Sequence, residues 1–221
     1  MLKFPCLVLD HDETVVQTEQ NMGYPFFVEI LKEYRPGVEL SLEDYVYDCY
    51  HIGFVEMCRR RFAFTPEEFS TEDRLWKEYI RTHLPDTYPG IREIITRQKE
   101  LGGLICVVSH SYHDVIVRDY KTHFGIAPDA IYGFELPAEH RKPSSYPLLD
   151  IMEKYQLRPE DILVVDDAKL ACQMADPLGI AVAFPGWSKI GYEEISREMT
   201  EMCRYAFRTP KELEQFLFSA D

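Results

Sequence analysis

The stretch Cys6-Leu7-Val8-Leu9-Asp10-His11-Asp12-Glu13-Thr14 decides how this chain is read. Four apolar residues run straight into two carboxylates spaced by one residue, then a threonine. The apolar run predicts a buried strand. Pro5, which has no amide hydrogen to give to a ladder, sets its start. Nothing apolar explains Asp10 and Asp12 side by side. Two like charges about 5 Å apart, at an effective dielectric of about 20, repel by roughly 3 kcal/mol. A metal ion, a basic group or full solvation has to offset that repulsion.

Alone, Asp-x-Asp fits a strand that ends in a solvated acidic turn. The chain downstream changes the reading. From Tyr88-Pro89-Gly90 onward, helical and strand patterns alternate. Helices are predicted from Ile91 to Leu101, up to Phe124 behind a Ser111-x-x-Asp114 cap, from about Tyr146 to Tyr155, through Asp176, and after Thr209-Pro210. Strands are predicted at Leu104–Val108, Ala130–Phe134, Ile162–Val165, Ile180–Phe184 and Cys203–Phe207. Such alternation predicts an α/β fold with a parallel sheet covered on both faces. In such sheets ligands sit outside the carboxyl ends of the strands. The polar residues fall there: Asp10 and Asp12, Ser109, Lys142 in the loop after the strand near Phe134, and Asp166 with Asp167. A solvated turn does not account for four such loops at one edge.

Between Val16 and Asp86 the pattern is helical throughout. Phe26, Phe27, Ile30, Leu31 and Tyr34 share one face, and Pro36-Gly37 ends that segment. Ser41 with Asp44 opens a second helix, and a third covers about Phe54 to Phe62. Thr65-Pro66-Glu67-Glu68 is a capping box before a fourth. The expected organisation is therefore a core of residues 1–16 and 87–221, with an all-helical domain of residues 17–86 inserted in it. The aromatic positions of the insert read as its own core.

The 221 residues are 46% hydrophobic and 13% aromatic, enough for a sizeable core. A net charge of −14, from 38 acidic and 24 basic residues, argues against a general nucleic-acid or anionic-membrane binder. No run approaches the ~18 apolar residues of a membrane span. Met1-Leu2-Lys3-Phe4-Pro5 has no secretory pattern. The six cysteines are scattered without a Cys-x-x-Cys pair, which predicts reduced thiols, no zinc site and a cytoplasmic protein.

Four carboxylates, a lysine and a hydroxyl suit a hard divalent cation with oxygen ligands, Mg²⁺ above all, beside a phosphoryl group. A carboxylate can be the nucleophile, and a second one two residues on can act as acid and then base. The four motifs, in this order, resemble those of the haloacid dehalogenase-like (HAD) superfamily. Asp10-x-Asp12-x-Thr14 is similar to motif I, Ser109 after Ile105–Val108 to motif II, Lys142-Pro143 to motif III, and Val164-Val165-Asp166-Asp167 to motif IV. The likeness spans about Cys6 to Phe184, and the insert resembles the C1-type helical cap of phosphoglycolate phosphatase-like and β-phosphoglucomutase-like members.

The resemblance implies a Rossmann-like core and a Mg²⁺-dependent phosphatase acting on a small phosphorylated metabolite, as a monomer or homodimer. By motif, Asp10 would be nucleophile and metal ligand. Asp12 would be general acid/base, with its backbone carbonyl on the metal. Thr14 would help set the turn, Ser109 would bind the phosphoryl group, and Lys142 would neutralise charge. Asp167 would ligate the metal directly, and Asp166 directly or through water. His110, where the family often has Asn or Gly, is a substrate-contact candidate. His11 reads as a loop filler whose amide faces the phosphate. Asp12 argues against a dehalogenase. Arg59-Arg60-Arg61 could reach an anionic leaving group, with at least one of them a plain surface charge; His51, Gly53 and Lys77 are further candidates in the insert. A sugar-phosphate mutase of the β-phosphoglucomutase type stays open, as do a phospho-accepting signalling domain and a non-catalytic regulatory protein on the same fold.

Overall fold

A computed structural model of the chain describes residues 2–219, so Met1, Ala220 and Asp221 of the expected core boundaries lie outside the described residues. The chain divides into two compact units, Met1–Val16 with Thr87–Asp221, and Gln17–Asp86.

The first unit is built on a six-stranded sheet: β1 (Cys6–Leu9), β2 (Leu104–Val108), β3 (Ala130–Tyr132), β4 (Ile162–Val165), β5 (Ala181–Pro185) and β6 (Tyr205–Phe207). The spatial order is β3-β2-β1-β4-β5-β6, and every neighbouring pair is parallel. Side chains alternate across the sheet as period-2 geometry requires. Leu7, Leu9, Ile105, Val107, Leu163 and Val165 join one hydrophobic cluster with Ile94, Ile116, Tyr120 and Leu213. Cys6, Val8, Cys106, Ile162 and Val164 belong to the opposite face and are also buried. Burial on both faces is why these strands read as unbroken apolar runs rather than alternating ones.

β1 lies between β2 and β4, where the chain reverses its direction of travel across the sheet. That is the switch point at which ligands bind in open parallel sheets. Register completes the placement. Leu9 pairs with Val165 across β1 and β4, so the next residues, Asp10 and Asp166, emerge as neighbours.

The strand ends differ from expectation by a few residues. β3 stops at Tyr132 because the chain turns at Gly133, where a Cβ would lie 2.9 Å from the Ser111 carbonyl oxygen, and the Phe134 amide donates to that oxygen. The expected Ser111 cap is not formed. The helix there starts at His113, behind Tyr112, with no side-chain cap. The Ser111 amide instead donates to Ser109 Oγ, and the Glu135 carboxylate accepts from the His113 amide.

The second unit holds α1 (Tyr24–Tyr34), α2 (Leu42–His51), α3 (Phe54–Arg60) and α4 (Pro66–Thr82), with a short π-helical turn before α1. No strand occurs in it among the described residues. Its centre is Phe27, fully buried, with the rings of Phe54, Phe62, Phe64 and Tyr45 at 5.1 to 6.0 Å. The Thr65–Glu68 capping box is formed in both directions. Arg35 adds a fork to Glu68 and hydrogen bonds to the Phe62 and Ala63 carbonyls, which ties α1 to the loop before α4. The aromatic residues of the insert are thus its core, as their spacing predicts.

Six helices complete the first unit: α5 (Ile91–Glu100), α6 (His113–Phe124), α7 (Tyr146–Tyr155), α8 (Lys169–Ala175), α9 (Glu193–Met202) and α10 (Pro210–Phe218). Among the described residues no helix is long and apolar enough to cross a membrane.

Candidate active site

The residues after β1 make a tight turn rather than more strand. The amides of Val15 and Val16 both donate to the His11 carbonyl, at 2.9 and 3.1 Å, and the Glu13 amide donates to Val16. Glu13 takes a left-handed conformation with φ 55°, and its carboxylate accepts from the Tyr88 hydroxyl at 2.7 Å. The Thr14 carbonyl accepts from Trp187 Nε1 at 3.2 Å. The Thr14 hydroxyl is buried and has no hydrogen-bond partner.

Asp10 is fixed from three sides. Its amide donates to the Val165 carbonyl at 2.9 Å. The His11 amide donates to its Oδ1 at 2.7 Å. Lys142 Nζ lies 2.9 Å from its Oδ2 and 2.6 Å from Asp166 Oδ2. Burial alone would raise the Asp10 carboxyl. The Lys142 ammonium, with hydrogen bonds from Ser109 and the His11 amide, outweighs burial and holds it below the usual carboxylate range. Burial alone would likewise lower the Lys142 ammonium, but Asp10 and Asp166 together push it up. Asp166 goes the other way: burial and then the Asp10 charge push its carboxyl well up, against the pull of Lys142.

Oxygens of Asp10, Asp166 and Asp167 all lie within 4.8 Å of one another. With Lys142 between Asp10 and Asp166, and Lys189 at Asp167 Oδ2, three carboxylates meet two ammonium groups. Oxygen-only donors with uncompensated charge fit a hard divalent cation.

The structure thus brings together Asp10, Ser109, Lys142, Asp166 and Asp167 from the ends of β1, β2 and β4 and the loop after β3. The Asp12 carboxylate, half-buried on the β1 turn, is not part of the three-carboxylate cluster. His110 is exposed at the rim; desolvation by its surroundings and then the Lys142 charge lower its imidazole, which is hydrogen-bonded to the Lys142 backbone.

Two features have no forecast in the sequence reading. His11 is not a loop filler. Its ring is fully buried, with Nε2 3.0 Å from Asp119 Oδ2 on α6, and Asp119 is held in turn by Arg118 at 2.7 Å. Lys189, beyond β5, is buried 3.0 Å from Asp167 Oδ2. The signal for His11 was its place at a buried strand end; for Lys189, a lysine between Trp187 and Ile190 just after an apolar strand.

The candidate residues of the insert are engaged within that unit. Arg59 and Arg60 both pair with Glu56, and Arg61 pairs with Asp44 and Asp48. Lys77 pairs with Asp73, His51 stacks on Tyr47, and Gly53 caps α3 with φ 84°.

A parallel α/β sheet with a carboxylate–lysine cluster at its switch point puts its charged groups where ligands of such sheets bind. The chain belongs to the haloacid dehalogenase-like hydrolases, whose family model matches residues 7–184. No curated protein matches the chain in sequence. Among solved structures, it is similar to a predicted phosphoglycolate phosphatase from Haemophilus somnus, with 17% identity, a TM-score of 0.73, and 98% of this chain and 99% of that one covered. A CbbY variant from Rhodobacter sphaeroides, in complex with xylulose-1,5-bisphosphate, is similar at 18% identity and a TM-score of 0.73, with 96% of each chain covered. A HAD family hydrolase from Deinococcus radiodurans, with bound phosphate and sodium, is similar at 13% identity and a TM-score of 0.73, covering 97% of this chain and 95% of that one.

Proposed function

We propose that this hydrolase is a Mg²⁺-dependent phosphatase that cleaves a small phosphomonoester through an aspartyl phosphate on Asp10. One observation carries the reading: a buried carboxylate at the end of the central strand is kept ionised by Lys142 inside a three-carboxylate cluster. An ionised carboxylate is a nucleophile, and the cluster gives a cation a place beside it. The bound phosphate and bisphosphate of the two solved structures above agree with it.

Asp10, Asp166 and Asp167, with the Asp12 carbonyl, would hold the cation. When bound, it supplies positive charge to the phosphoryl oxygens and to the attacking carboxylate. Asp10 attacks phosphorus, and the bond to the ester oxygen breaks. Asp12, whose carboxylate stands apart from the cluster, protonates the departing oxygen. It then takes a proton from water, which attacks the aspartyl phosphate, releasing inorganic phosphate and free Asp10. Ser109 and Lys142 hold the phosphoryl oxygens through both steps, and His110 stands at the rim to meet the rest of the substrate.

By the same reading, residues 17–86 form a cap that selects the leaving group and excludes water. The stretches 16–18 and 86–88 are its hinges; there Val16 pairs antiparallel with Thr87, and the Gln17 amide donates to Asp86. Phosphate release from an aryl phosphate tests the chemistry. Release that requires Mg²⁺ and disappears in Asp10→Asn is the expected result. Isomerisation of a hexose 1-phosphate with no free phosphate would replace the phosphatase with a mutase.

A further inference from the structure

Lys142 accounts for two of the three clustered carboxylates, Asp10 and Asp166. The third, Asp167, is met by Lys189, with Nζ 3.0 Å from Oδ2 and the lysine side chain 4% exposed. A lysine is almost never this buried without a partner, because its ammonium loses its hydration.

Its position is built, not incidental. Lys189 ends the short helical turn Gly186–Lys189 that follows β5. Gly186 lets that turn pass close to the β6 end: a Cβ there would lie 3.0 Å from the Phe207 carbonyl oxygen. Trp187 is buried and donates to the Thr14 carbonyl, so the same turn is pinned to the loop that carries Asp10 and Asp12. On the far side, the Tyr192 amide and the Ser196 hydroxyl both donate to the Lys189 carbonyl. The backbone is held before and after the residue, and the ammonium is delivered to Asp167.

We propose that Lys189 is a built-in counter-ion of the carboxylate cluster, which neutralises Asp167 while no cation is bound and sets how much divalent cation the site needs. The inference rests on the cation-dependent reading above and goes beyond it by naming a positioning residue outside the four motifs. Its physics is a competition. Three carboxylates face two ammonium groups, and a dication entering the cluster draws on a carboxylate that Lys189 already holds. Lys189 holds Asp167 Oδ2, so a dication that shares this carboxylate and the ammonium repel each other. The cluster is thereby stable without metal, at the cost of weaker metal binding.

The test is Mg²⁺ titration calorimetry on EDTA-stripped wild type and Lys189→Met, which keeps the length of the stem and removes the charge. Thermal melting of both cation-free proteins accompanies it. Lys189→Met should bind Mg²⁺ at least about fivefold tighter. Its cation-free Tm should fall, and saturating Mg²⁺ should raise it by more than in wild type. In an Asp167→Asn background, where no carboxylate is left at 167 to be stranded, Lys189→Met should lower the cation-free Tm by less than it does in wild type, or raise it; an equal or larger loss there overturns the pairing. Equal or weaker Mg²⁺ binding by Lys189→Met overturns the proposal. Should the single variant fail to fold, a folded Asp167→Asn/Lys189→Met double variant supports the charge pairing, and an unfolded one reduces Lys189 to packing. A wild type that binds no Mg²⁺ overturns the inference together with the cation reading. Mg²⁺ binding without phosphate release removes the phosphatase chemistry alone and leaves Lys189 testable.

Discussion

The two units of this chain treat charge in opposite ways. Of the twelve buried polar or charged side chains among the described residues, eleven belong to the sheet unit and one, Glu72, to the helical insert. Asp10, Ser109, Lys142, Asp166 and Lys189 lie just beyond strands or in the loops that follow them, and four of these five are charged. The insert keeps Arg59, Arg60 and Arg61 at its surface, each paired with a carboxylate on a nearby turn or helix. Burying charge costs several kcal/mol per ion unless partners offset it. A fold that buries four such groups at one edge places that cost where the proposed chemistry needs charge. The insert, with an aromatic centre and a solvated exterior, meets the ordinary demands of folding.

Substitutions can break this contrast or sharpen it. The largest effect belongs to Asp10→Asn: phosphate release should fall at least about a thousandfold with little loss of fold, because the nucleophile goes while the shape stays. Steady-state kinetics beside circular dichroism would show it, and retained turnover would end the aspartyl phosphate reading. Next is Lys142→Met. It strands Asp10 and Asp166 in the core without their shared counter-charge, and breaking a buried pair costs about 3–5 kcal/mol. Urea melts of wild type and variant measure the loss.

Glu72 tests the contrast from the other side, as the buried acid of the insert. Burial, and then the Asp73 charge, push its carboxyl from 4.5 up to about 7. The Tyr45 and Cys58 side chains also feel its charge. The folded state therefore holds the Glu72 proton more tightly than the unfolded state does. Stability present below pH 4.5 is lost as the pH rises through about 7, a total of about 3 kcal/mol. Glu72→Gln should match wild type near pH 4 and exceed it by about that amount at pH 8. Denaturant melts at the two pH values decide it, and parallel wild-type and variant curves would refute the assignment.

His11→Leu should cost about 1–3 kcal/mol, since Asp119 keeps the part-exposed Arg118 but loses its buried donor. A fall in kcat larger than the change in KM would mark loosening of the Asp10–Asp12 turn, and His11→Gln should recover part of it. At the small end, Arg59→Ala in the insert should leave the midpoint of unfolding unchanged, as exposed pairs do. A measurable loss there would blur the distinction between the units.

The sheet was legible because its signals are local. Leu104–Val108 and Ile162–Val165 could be read as strands from their own side chains, and the alternation with helices set the parallel topology. Within the candidate site, Asp10, Ser109, Lys142, Asp166 and Asp167 were visible as polar residues that end or follow apolar runs. Capping at Thr65, Ser41 and Thr209 was equally plain, since a cap is decided within four residues. Ser111 misled for the same reason: its pattern suits a cap, but its amide is taken by Ser109 and its carbonyl by Phe134.

By itself, the sequence determined the parallel α/β sheet, the helical character of residues 17–86, and the kinds of groups that stand at the strand ends. Periodicity and turn chemistry act over a few residues and need no partner. Only the tertiary structure decided which charges neutralise which. His11 meets Asp119 across 108 positions, and Lys189 reaches Asp167 because Trp187 pins its turn to the β1 loop. Such pairings depend on strand order, register and the packing of loops over the sheet edge. A lysine two residues after a tryptophan or a histidine between two aspartates carries no mark of its partner until the fold has brought that partner within 3 Å or so.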